Sequence, residues 1–260
     1  MVTIRTMKGY FFGVLCIVLF HGPAFGEGLL KLPILPAPEN YGDILIDRTS
    51  QGNKVTPVNF SHWVHRVKYT CRVCHYELEF SMKSNDTPIV CNKGQMNGKY
   101  CVACHDGKIA FGPRDKDEEN CDRCHTSSNS AWRRFQELKD KLPPAKFGNE
   151  MDWSAALDKG LIKPQQSLSG GTREIANIDK TLTLNAEMGG ISPAVFPHKT
   201  HEQWLDCSNC HPELFNIKKK STESLRMVNM LKGESCGICH LLVAFPLNDC
   251  RKCHPSMRVR

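Results

Sequence analysis

Phe60-Ser61-His62-Trp63-Val64-His65 leads, across five residues, into Cys71-Arg72-Val73-Cys74-His75. The arrangement returns as Phe196-Pro197-His198-Lys199-Thr200-His201, and after the same interval comes Cys207-Ser208-Asn209-Cys210-His211. C-x-x-C with His directly after it is the attachment signature of c-type haem: two thioethers hold the porphyrin and the His ligates the iron. Four further copies place Cys101, Cys104 and His105; Cys121, Cys124 and His125; Cys236, Cys239 and His240; and Cys250, Cys253 and His254. Together the six copies take 12 of the 14 cysteines and six of the 11 histidines. Zinc ribbons and disulfide frameworks also use C-x-x-C pairs, but neither needs a His after every pair. The chain is therefore expected to carry six covalently bound haem c groups.

Residues 1–26 read as a cleaved export signal: Arg5 and Lys8, an apolar run over 10–20, then Ala24 and Gly26 as small residues at the cleavage site. The run is too short to span a bilayer comfortably, and no later stretch is apolar enough to try. Cys16 is expected to leave with the signal, and Cys91 then remains as a lone thiol. Export suits c-type haem, which is attached outside the bacterial cytoplasm. The expected localisation is the periplasm, or beyond it at the cell surface or in the medium.

The formal charge of +7 misleads about partners. Loss of Arg5 and Lys8 and the addition of haem propionates bring the total to about −1 with ferric haems and about −7 with ferrous ones. Basic composition is thus no argument for nucleic acid. About 39 mature residues remain per haem, too few to surround each with its own apolar core. The expected fold is a haem-cored, mainly irregular chain with small helices and short β-hairpins.

Prolines 33, 36 and 38 mark an extended lead-in. Residues 43–47 and 55–58 flank a polar turn and predict a hairpin delivering Phe60 and His62, with Pro57 confining its strand to an edge. In the haem-free stretch, Trp132, Phe135, Leu138 and Leu142 share a helical face that Pro143-Pro144 stops. Asp152 predicts the cap of a second helix through Trp153, Ala156 and Leu157, and 165–171 reads as a loop. These apolar positions are expected to pack and hold the two halves in a fixed relation.

The second half repeats the first. The offset is 136 for both histidines of the F-x-H-x-x-H run and for the first C-x-x-C-H, 135 for the second and 129 for the third. Expected boundaries are a signal at 1–26, a triheme unit at 27–129, a helical linker at 130–190 and a second triheme unit at 191–260, each unit able to hold its haems alone.

Taken together, these residues resemble the triheme cytochrome c7 domain, a shortened relative of tetrahaem cytochrome c3: a hairpin, F-x-H-x-x-H, then three C-x-x-C-H sites. The resemblance implies that His62 is the distal ligand to the haem of His75, and His65 to that of His105. It likewise implies His198 for His211 and His201 for His240, with Phe60 and Phe196 between haems. Two irons, at His125 and His254, are left without an imidazole partner. Met96 and Met230 are the nearest candidates, with Met82, Met227, Cys91 or an open iron as alternatives. Six-coordinate iron favours electron transfer over catalysis, so the chain reads as an electron carrier and not an enzyme. Its partners would be other cytochromes, an inner-membrane quinol oxidase or an outer-membrane conduit. The rival readings are a reductase with an open-site haem and a relay subunit of a membrane-to-surface conduit.

Overall fold

A computed structural model describes residues 31–92, 95–96, 99–115, 118–126, 131–171, 173–186, 190–216 and 225–258. The expected signal, with Cys16, lies outside the described residues. Residues 1–31 separate from 32–260, and the latter form one compact unit.

Regular structure comes in short pieces, as the shortage of residues per haem predicts. The first hairpin pairs β1 (Asp43–Ile46) with β2 (Val58–Ser61), setting Asp43 opposite Ser61 and Ile44 opposite Phe60. The second strand thus lies three residues later than predicted, and Pro57, lacking an N–H, stays outside the ladder. β2 runs without a break into α1 (His62–Arg66), which lifts both histidines of the motif off the sheet edge. Gly42 supports the junction: its φ of +90° is left-handed, and a Cβ there would stand 3.6 Å from that of His62.

Two-residue pairings follow, β3 (Cys91–Asn92) with β4 (Gln95–Met96) and β5 (Arg114–Asp115) with β6 (Glu118–Glu119). α2 (Cys121–Cys124) closes the first set of motifs. The haem-free stretch supplies α3 (Trp132–Lys139) and α4 (Trp153–Asp158), and Asp152 caps α4 by accepting from the Ala155 N–H at 3.0 Å. β7 (Thr181–Leu184) then pairs with β8 (Ala194–Pro197), and β8 runs into α5 (His198–Glu202), repeating the first unit. α6 (Met227–Leu231), α7 (Gly237–His240) and α8 (Cys250–Cys253) complete the chain. α6 and α7 meet so closely that a Cβ on Gly237 would stand 2.0 Å from the Met230 carbonyl oxygen.

An apolar core does exist, and it belongs to the haem-free stretch. Phe135, Leu142, Met151, Ala156 and Ile162 enclose Trp63 from the first motif and Trp204 from beyond the second. The 136-residue offset would put Lys199 at the place of Trp63 and Lys68 at that of Trp204. The repeats therefore diverge where each faces the linker. Trp132, expected inside, is half exposed, its ring stacked on Phe135 at 6.2 Å. A helix of this length turns only one narrow face to the core, and Phe135 and Leu138 occupy it.

The lead-in does more than connect. Asn149 Nδ2 donates to the carbonyls of Pro38 and Tyr41, and Tyr41 Oη donates to Ala244 O at 2.6 Å. The expected boundary at 191 cuts the β7–β8 hairpin, because strand pairing over 181–184 carries no haem motif by which sequence could reveal it. Among the described residues no helix is long and apolar enough to cross a membrane.

Candidate haem-binding site

Ten histidines were expected at iron, and all ten are held in the same way. The Nδ1 atoms of His62, His65, His75, His105 and His125 donate to the carbonyls of Gly42, Ser61, Phe80, Phe111 and Thr56, at 2.5 to 3.0 Å. Those of His198, His201, His211, His240 and His254 donate to Lys180, Pro197, Phe215, Phe245 and Ser192, at 2.6 to 2.9 Å. A carbonyl oxygen can only accept, so each Nδ1 carries the proton and each Nε2 keeps a lone pair. That is the tautomer and orientation an axial imidazole requires.

The rings also pair. His62 and His75 face each other with centroids 6.5 Å apart and planes within 7°. His65 and His105, and likewise His201 and His240, stand at 6.2 Å. Rings so placed would hold one iron between them. Among the described residues His198 and His211 form no such close ring pair, although both are anchored. Phe60 stacks on His65 at 4.5 Å and meets His62 edge-on at 4.9 Å, and Phe196 repeats this with His201 and His198 at 4.3 and 4.9 Å.

The cysteines stand with their histidines. Cys71, Cys74, Cys101, Cys104, Cys121, Cys124, Cys207, Cys210, Cys236, Cys239, Cys250 and Cys253 form no disulfides. Burial pushes the Cys74 and Cys239 thiols up to about 12. Burial likewise lowers the pKa of His62 to about 3 and of His240 to about 4. The hydroxyls of Ser61, Thr70 and Ser192 are buried without a partner. Ser61 precedes His62, Thr70 precedes Cys71, and the Ser192 carbonyl is the one that holds His254. A porphyrin with two carboxylates fits such surroundings, which offer paired imidazole rings and buried hydroxyl donors without partners.

The third sites differ. His125 reaches back to Thr56 and His254 to Ser192, so each is tied just before β2 or β8, at positions that again differ by 136. Of the sulfur candidates, Cys91 and Met96 are opposed in β3–β4, and only their backbones are described. Met227 and Met230 lie on α6, which packs on α7. α8, with His254 at its end, lies against β8.

Contacts between the two sets of motifs were not legible in sequence. Arg72, inside the first C-x-x-C-H, donates from Nε to Asp206 Oδ2 at 3.2 Å and also pairs with Glu77. Asn209, inside the fourth, donates to the His75 carbonyl at 3.0 Å. The pattern R-x-C…D-C-x-N offers no signal that these residues meet, because the fold brings them together across more than 130 positions.

Comparison with known proteins bears on the same residues. No curated protein matches the chain. Among solved structures it is similar to a c7-type three-heme cytochrome domain, at 35% identity over 32% of this chain and all of that one, with a TM-score of 0.25. It is also similar to the C-terminal hexaheme fragment of GSU1996, at 25% identity over 85% of this chain and 99% of the fragment, TM-score 0.26. The N-terminal hexaheme fragment of the same protein matches at 21% identity over 83% of this chain and 99% of the fragment, TM-score 0.22. At such TM-scores the superpositions say nothing about arrangement. The family model described as cytochrome c7 and related cytochrome c matches twice, over residues 58–126 and 194–255, just over half of the chain. Multihaem cytochromes of this kind bind haem c and carry electrons. With both copies of its repeated motif matched, the chain belongs to the family of cytochrome c7 and related cytochromes c.

Proposed function

We propose that the protein is an exported hexahaem c-type cytochrome that carries electrons between redox partner proteins. The observation that carries this reading is the uniform anchoring of all ten histidines, which leaves every Nε2 free for iron. Bound haems would supply a reversible one-electron ferric/ferrous couple. The chain's own part is to hold ligands still. Backbone carbonyls prevent ring rotation, and Phe60 and Phe196 brace the distal rings. Fixed ligands keep reorganisation on electron uptake small.

His62 and His65, with His198 and His201, would complete four irons; Met96 and Met230 are proposed for those of His125 and His254. The periplasm is the proposed location, with other cytochromes, a quinol oxidase or an outer-membrane conduit as partners. Two triheme units, a helical linker between them and a signal at 1–26 complete the proposed organisation.

Pyridine haemochrome measured against protein mass should return six haems, and four or fewer would refute the reading. Carbon monoxide separates carrier from reductase. A reduced wild type that refuses it supports six-coordinate irons throughout; binding at two haems would favour open sites at His125 and His254.

A further inference from the structure

Arg66 lies one helical turn beyond His62, on the same face of α1. A shift of 136 residues places Glu202 at the same point of α5, one turn beyond His198. The duplicated units thus carry opposite charges at one equivalent position. Arg66 Nη2 donates to the carbonyl of Val243 at 2.9 Å, three residues past His240, and its guanidinium carbon lies 5.2 Å from the Trp153 ring centre. Neither the carbonyl nor the ring is an anion. From α1, which holds His62, the Arg66 side chain thus reaches the segment that follows His240. One cation therefore faces a haem site in each unit. Glu202 is only 8% exposed and accepts from the Ile178 N–H through both carboxylate oxygens, at 3.3 and 3.0 Å. That partner is a neutral amide, not a cation.

We propose that this reversal makes the two units electrically unequal: Arg66 raises the reduction potentials of the haems held by His75 and His240, and Glu202 lowers that of the haem held by His211. Taking one electron from a redox partner converts ferric to ferrous iron and removes one unit of positive charge. A fixed cation nearby stabilises the reduced form and a fixed anion opposes it, more strongly in a poorly hydrated interior than in water. Electrons therefore come to rest by preference beside Arg66, at the seam between the units. The inference rests on the haem-binding reading given above.

The test is an electrode titration of the haem-loaded protein, followed haem by haem through the haem methyl resonances. Arg66→Gln should shift the reduction equilibrium of two haems about tenfold towards the ferric form, a fall of about 59 mV for a one-electron couple. Glu202→Gln should shift one haem of the second unit in the opposite direction. Arg66→Lys keeps the charge and should leave the potentials near the wild type. Equal falls in Arg66→Gln and Arg66→Lys would place the effect in packing against Trp153 and overturn the proposal. So would six haems with unshifted potentials, or shifts of the same sign in both Gln variants. Should Arg66→Gln fail to mature, the direction of the Glu202→Gln shift decides. A wild type without haem would overturn the cytochrome reading itself.

Discussion

At every anchored histidine a proton would compete with the proposed iron for the same Nε2 lone pair. In the folded chain the pKa of His62 is pulled down to about 3 and that of His240 to about 4, chiefly by burial, with the Arg66 charge acting in the same direction. An unfolded histidine titrates near about 6.5. As the pH falls, the unfolded chain therefore takes up protons first. The stability these residues contribute is complete above about pH 6.5 and is lost as the pH drops towards 3 or 4. The melting temperature of the haem-loaded protein should be level above about pH 7 and fall steadily below about pH 6, together with the low-spin spectrum. A melting temperature unchanged down to pH 4 would contradict this account.

Among the elements, α3 and α4 have the least haem chemistry and the most conventional packing. Phe135, 1% exposed, meets Trp63 edge-on at 5.3 Å. Phe135→Ala should cost about 3–5 kcal/mol, the usual range for emptying a buried aromatic site. Trp132→Ala, on the same helix but half exposed, should cost well under half as much. Chemical denaturation of the haem-loaded variants measures both, and equal losses would mean that the core is not centred on Trp63. Because Trp63 lies between His62 and His65, a loosened core should also broaden the spectra of the first unit's haems.

Across the whole molecule, the two halves share more than a linker. Tyr41 bonds to Ala244, Arg72 to Asp206 and Asn209 to His75. The His198 ring and backbone N–H both bond to the carbonyl of Lys180, which lies outside a unit begun at 191. A fragment of residues 191–260 should therefore mature poorly. Residues 173–260 restore β7, Lys180 and Arg173, whose Nη1 donates to Leu205 O at 2.9 Å, and should retain three haems. Haem count per chain after export checks this. Equal counts from the two fragments would show that the hairpin is dispensable.

The sequence by itself determined the family, the six C-x-x-C-H motifs and the duplication, because these are local: thioether and imidazole chemistry dictates C-x-x-C-H, and copying preserves spacing. It also showed the hairpin, the cap at Asp152 and the shortage of regular structure, each a matter of neighbouring residues. Only the tertiary structure decided which carbonyl orients each ring, that Trp63 and Trp204 share one core, and that Arg66 reaches the segment after His240. Those contacts join residues up to 177 positions apart through side chains of ordinary type. Their meaning depends on which surfaces meet, and no spacing along the chain encodes that.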